Sequence, residues 1–115
     1  MPHEVVFWYG EHKDGGHKEG FYTPRCTKQW QTALSRAWEK ERGKEIAFPE
    51  GWLEVEATFY FHNGHSPDPD NLLRRLLNAL NERAWSDDNQ VIKVTAVRVH
   101  GAEKEGVEIR IRRCE

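Results

Sequence analysis

The chain has 115 residues, five of them Trp and five Phe, which is the size of one domain (1–115) with enough large side chains for one core. Its formal charge of −2 argues against a simple basic nucleic-acid binder, and no apolar run approaches the roughly 18 residues of a membrane span. No charged-then-apolar start resembles a signal peptide, so the expected address is cytoplasmic. Cys26 and Cys114 form no CxxC pair and read as two reduced thiols.

Glu4 to Tyr9 is β-branched and aromatic and predicts a first strand. Gly10 to Gly20 is polar and glycine-rich, hence a loop. It carries His12 and His17, but no further ligands follow at zinc spacings, so these read as solvated histidines. Thr23-Pro24 then opens a helical stretch over Thr27 to Arg42. There Trp30, Ala33, Leu34, Ala37 and Trp38 recur on one face, and Gly43 is its stop. Lys28, Arg36 and Lys40 occupy the other face. They are either a solvated surface or phosphate contacts.

Phe48-Pro49-Glu50-Gly51 predicts a turn. In Leu53 to His62, apolar residues alternate with Glu54, Glu56, Thr58, Tyr60 and His62, the pattern of a half-buried strand. Asn63-Gly64 ends it. A second helix is expected from about Asn71 to Ala84, with Pro67 and Pro69 on its approach and Asp70 or Asn71 as N-cap. Leu72, Leu73, Leu76, Leu77 and Leu80 form its core arc, and Asn71, Arg74 and Asn78 line the opposite side. That polar row starts beside Asp68 and Asp70, which puts Arg74 within reach of them. Val91 to Val99 and Val107 to Ile111 read as strands joined by Gly101 to Gly106, an antiparallel hairpin. The sum is an α+β domain, a small mixed sheet of about four strands with two helices.

Two acidic pairs flank the second helix: Asp68 with Asp70 before it, Asp87 with Asp88 after it. They carry four of the negative charges, so the remainder of the chain is at +2. An EF-hand starting at Asp68 would need Gly sixth and Glu twelfth, where the chain has Leu73 and Ala79. Two readings stay open on spacing alone. The aspartates are helix caps and turn formers, or they hold Mg²⁺ for phosphodiester chemistry, since that ion takes few carboxylates and keeps waters for phosphate to replace.

Three segments together resemble the RusA family of Holliday junction resolvases, including its prophage-type members. They are Thr23-Pro24-Arg25 with Thr27-Lys28, then Pro67-Asp68-Pro69-Asp70-Asn71-Leu72, and then Ala79-Leu80 followed by Trp85-Ser86-Asp87-Asp88-Asn89-Gln90-Val91. The order and spacing run from about Phe21 to Ile111. The resemblance implies a homodimeric, Mg²⁺-dependent endodeoxyribonuclease that nicks four-way DNA junctions symmetrically in recombination and repair. Carried over by residue, Asp68, Asp70 and Asp88 match its essential carboxylates and Asp87 the adjacent acid, so these four are the candidate metal ligands. Arg74 stands where the family usually has lysine, and Asn78 where it usually has Asp. Arg74 is the candidate for contacting the scissile phosphate, while Arg25, Lys28, Arg75 and Asn71 are candidates for DNA contact. Two other readings remain: a branched-DNA-binding protein with weak or no cleavage, and a less selective Mg²⁺ nuclease.

Overall fold

A computed structural model describes residues 2–11, 27–62 and 66–114. Alternation builds its sheet. Strand β2 (Trp52–Phe61) buries Leu53, Val55, Ala57, Phe59 and Phe61 and leaves the intervening residues on the other face. β1 (Glu4–Gly10) buries Val5, Phe7 and Tyr9, and β4 (Gly106–Cys114) buries Val107, Ile109 and Ile111. With β3 (Val91–His100) they form one sheet in the order β1-β4-β2-β3. β4 is antiparallel to both β1 and β2, whereas β3 runs parallel to β2. The predicted mixed four-stranded sheet with two helices is the observed one.

Both helices pack on the face that carries those buried residues. Helix α1 (Lys28–Arg42) starts at Thr27, whose hydroxyl accepts from the Trp30 N–H at 3.2 Å. Lys40 and Arg42 in its last turn suit the helix dipole, and Gly43, at φ +81°, ends it. Trp30, Leu34, Ala37 and Trp38 face the sheet, where the Trp38 ring meets Phe7 edge-on at 5.2 Å. Helix α2 (Pro69–Leu80) buries Leu72, Leu76, Ala79 and Leu80. Buried Ser35 of α1 lies 2.9 Å from the Ala79 carbonyl and 3.0 Å from that of Gln31, with one proton to give. Its bond to α2 satisfies a carbonyl that the helix end would leave bare.

Three expectations are corrected. First, α2 begins with Pro69 at its first turn and Asp68 as N-cap, two residues earlier than expected. Proline is favoured there because the first-turn N–H needs no partner and φ is preset. Second, α2 ends at Leu80. Asn81 turns extended and Glu82 adopts φ +65°, which brings buried Ala84 and Trp85 back under the helix. Third, β3 and β4 do not form a hairpin, because β2 lies between them. The linker crosses the end of β2, where the Ala102 N–H donates to the Phe61 carbonyl at 3.0 Å. β4 takes the central position because its alternate residues are fully buried. β3, with Ile92 and Val97 about half exposed, is left at the edge.

The loop with His12 and His17, Arg25, Cys26 and the Asn63-Gly64 turn lie outside the described residues. Cys114 is a free thiol. No described helix is long and apolar enough to cross a membrane.

Candidate active site

Asp68 and Asp70 sit where β2 hands over to α2. Asp68 is exposed, and its carbonyl, not its carboxylate, caps the helix: it accepts from the N–H groups of Asn71 and Leu72, both at 3.1 Å. Asp70 lies in the first turn, where the helix dipole favours an anion. Neither carboxylate has a hydrogen-bond or ion-pair partner among the described residues. Two hard oxygen donors two positions apart, with open lone pairs, fit the donor chemistry of Mg²⁺. The capping reading of these two side chains therefore loses its main support.

The chain leading to them is fixed by β3. Arg98 Nη1 donates to Ser66 Oγ at 3.1 Å and to the Pro67 carbonyl at 3.3 Å, and His100 Nε2 lies 3.4 Å from Ser66 Oγ. Arg98 and His100 were not singled out in the sequence. Arg98 reads there as one more polar residue of an alternating strand, and only the fold sets it beside Asp68.

The second acidic pair is built differently. Asp87 accepts from the Asn89 N–H at 2.9 Å and caps the short 3-10 turn Asp88–Gln90. For Asp87 the capping reading holds. The Gln90 amide oxygen accepts from the N–H groups of Ser86 and Asp87, at 2.9 and 3.0 Å, while its amide nitrogen donates to the carbonyls of Phe48 and Gly51. One side chain thus ties the loop to the segment before β2. Asp88 Oδ1 accepts from the Trp85 indole N–H at 2.7 Å, and Trp85 is fully buried. A buried ring therefore fixes one oxygen of a partly exposed carboxylate. Trp85 and Gln90 do this orienting. They stood in the sequence as motif letters without an assigned task.

Arg74 is exposed, one turn after Asp70 and on the same side as exposed Asn71 and Asn78. Arg75 is elsewhere: it donates to Gln31 Oε1 at 3.1 Å and ties α2 to α1. Lys28 is exposed at the start of α1.

The two acidic pairs do not meet within one copy of the chain. They lie at opposite ends of α2, whose twelve residues rise roughly 18 Å. Asp88 precedes the first residue of β3, whereas Ser66 and Pro67 touch Arg98 and His100 at its far end. Seven strand residues separate those levels, about 23 Å, and metal–oxygen distances near 2 Å cannot span that. Accordingly, among the described residues no three His, Cys, Asp or Glu side chains converge to hold a metal ion.

Comparison with known families adds one result. The model of the endodeoxyribonuclease RusA family matches residues 10–112, nearly the whole chain. No curated protein matches the chain.

Proposed function

The chain belongs to the RusA endodeoxyribonuclease family, and from that premise we propose that it is the subunit of a Mg²⁺-dependent, homodimeric nuclease that resolves four-way DNA junctions by paired nicks. The observation that carries this reading is the family match joined to the open carboxylates of Asp68 and Asp70 at the mouth of α2. Asp68 and Asp70 would hold Mg²⁺ together with Asp88, which does not reach them within one copy and would come from the second copy of the homodimer, with Asp87 keeping the loop of Asp88 in shape. Bound Mg²⁺ would supply Lewis acidity, lowering the pKa of a water and offsetting charge on the leaving oxygen. Water adds to the phosphorus, one P–O ester bond breaks, and the departing oxygen takes a proton, which leaves a nick. Arg74 would meet the phosphate charge that grows in this step. Asn71 and Lys28 would position the backbone; Arg75, tied to Gln31, is the weakest of the proposed DNA contacts.

Labelled four-way junction, flap and plain duplex, each incubated with Mg²⁺ and with EDTA, test the reading. Paired symmetric nicks in the junction alone, and only with Mg²⁺, are expected. Binding without cleavage would replace it by a branched-DNA-binding role, and equal cleavage of flap and junction by a less selective nuclease.

A further inference from the structure

The acidic corner Pro67-Asp68-Pro69-Asp70 has few torsions left to move. Proline rings lock φ at positions 67 and 69. Pro69 also confines the residue before it to extended backbone, and Asp68 lies there, at φ −59° and ψ 144°. Pro69 and Asp70 already belong to α2, whose N–H groups at Asn71 and Leu72 hold the Asp68 carbonyl. Asp68 to Asp70 are therefore one stiff unit with the first turn of the helix. The joint between that unit and the chain before it is the Pro67–Asp68 peptide plane, which swings about Pro67 ψ and Asp68 φ.

That joint is the group Arg98 holds. Its Nη1 carries two hydrogens, one for the Pro67 carbonyl at 3.3 Å and one for Ser66 Oγ at 3.1 Å. The Ser66 hydroxyl keeps its own proton for His100 Nε2, 3.4 Å away. In the register of β2 and β3, Arg98 pairs with Phe59 and His100 with Phe61, and both phenylalanines are buried under the helices. Cross-strand partners share a face, so the helix side of β3 reads Val94, Ala96, Arg98, His100. The apolar phase gives way to polar residues beside the acidic corner, where a strand built for packing alone would stay apolar. Among the described residues Arg98 forms no ion pair with Asp68, Asp70 or any other carboxylate. It grips backbone and a hydroxyl and leaves both carboxylates unpaired.

Resting on the function proposed above, we propose that Arg98 is a positioning residue of the metal site: by holding the Pro67–Asp68 plane it seats the Asp68–Asp70 corner on β3. Charge and grip act in opposite senses here. A guanidinium this close to the corner repels a divalent cation, so if charge were its whole effect, removing it would tighten metal binding. Removing the grip instead frees the joint, and part of the binding free energy then goes into ordering the corner, which weakens metal binding.

Mn²⁺, a paramagnetic stand-in for Mg²⁺, tests the sign without any cleavage, because its free-ion spin resonance signal is lost on binding. Arg98→Ala should weaken Mn²⁺ binding about tenfold while its circular dichroism stays native, since the side chain is exposed. Ser66→Ala removes one of the two acceptors and should weaken it about threefold. Arg98→Lys keeps the charge but offers an ammonium in place of the planar fork, and should fall between Arg98→Ala and the wild type. In junction nicking, the Arg98→Ala defect should lie in the Mg²⁺ concentration that gives half the maximal rate, with most of the rate recovered at saturating Mg²⁺. Its junction affinity in EDTA should match the wild type. Unchanged or tighter Mn²⁺ binding by Arg98→Ala overturns the proposal. So does a loss confined to junction affinity in EDTA, which would make Arg98 a DNA contact. If Arg98→Ala weakens Mn²⁺ binding but the wild type nicks no junction, the nuclease reading fails and the positioning role stands. If the wild type nicks with Mg²⁺ and both proteins bind Mn²⁺ equally, the nuclease reading stands and the positioning role fails. A wild type that binds no Mn²⁺ overturns both.

Discussion

His62 stands just past β2 with an acceptor at each ring nitrogen. Nδ1 is 2.9 Å from the Ala102 carbonyl and Nε2 meets the Glu11 carboxylate. The doubly protonated ring suits both, so the pKa is raised above 6.5, first by the carbonyl and then by Glu11. Folding therefore favours the proton. The stabilisation is complete below the unfolded value and is lost as pH rises through the raised folded value. Melting curves at about pH 5.5 and about pH 8.5 should show the native protein losing more melting temperature across that interval than His62→Gln does. The ring is 40% exposed, so a difference of only a few degrees is expected. Arg74 is exposed with no such partner among the described residues, and its test is kinetic. Arg74→Ala should lower the single-turnover nicking rate about tenfold or more, roughly 1.4 kcal/mol of barrier, with junction affinity nearly unchanged. Arg74→Lys should keep or increase the rate, since the ammonium retains the charge without the planar fork. An unchanged rate in Arg74→Ala would leave the residue a solvated helix charge.

At the level of elements, the sheet closes tightly where β1 meets β4. Gly10 and Gly106 face each other, and a Cβ on Gly106 would come within 2.6 Å of the Trp8 ring and 2.8 Å of the Tyr9 carbonyl. The carbonyl belongs to the paired strand and cannot step aside. Gly106→Ala should cost about 1–3 kcal/mol by overpacking, read as a lower urea midpoint with an unchanged slope. This close approach was not visible in the sequence, where both glycines read as loop punctuation. The alternation of β2 was legible, because every second residue from Leu53 to Phe61 is buried and period two leaves no other reading. The helix faces were legible for the same reason. The order of the strands was not. A short glycine-bounded linker signals a hairpin locally, but a burial contest between β3 and β4 for the place beside β2 decided the outcome. The acidic motif was legible as a set of residues. Sequence spacing does not separate Asp87, which spends its carboxylate on a cap, from Asp88, whose carboxylate a buried indole holds. Nor does it disclose that α2 holds the two pairs apart.

For the whole molecule, the proposed composite site, shared by two copies, would make metal binding and dimerisation one linked equilibrium. Without metal, that interface would gather Asp68 and Asp70 of one copy against Asp88 of the other, twice over. Like charges brought that close oppose association. Mg²⁺ would reverse the sign, because the proposed site is complete in the dimer and not in the separated copies, and whatever factor it added to dimer affinity the dimer would add to Mg²⁺ affinity. Ligand that binds only the assembled state stabilises it by RT ln(1 + [L]/Kd), roughly 2.7 kcal/mol at a hundredfold excess over Kd. The melting temperature in Mg²⁺ should therefore rise with protein concentration between about 1 µM and about 100 µM, and rise less in EDTA. Asp88→Asn removes one charge and one ligand from each composite site at nearly constant volume, and its amide oxygen still accepts from Trp85. Its metal-free dimer should be tighter than that of the native protein, because repulsion is relieved. Its Mg²⁺ response should shrink, and junction cleavage should be lost. A site held within one copy predicts a different outcome: Mg²⁺ raises the melting temperature equally at both protein concentrations, and Asp88→Asn leaves the metal-free dimer constant where it was. Melting curves at the two concentrations, with sedimentation of both proteins in EDTA and in Mg²⁺, distinguish the two.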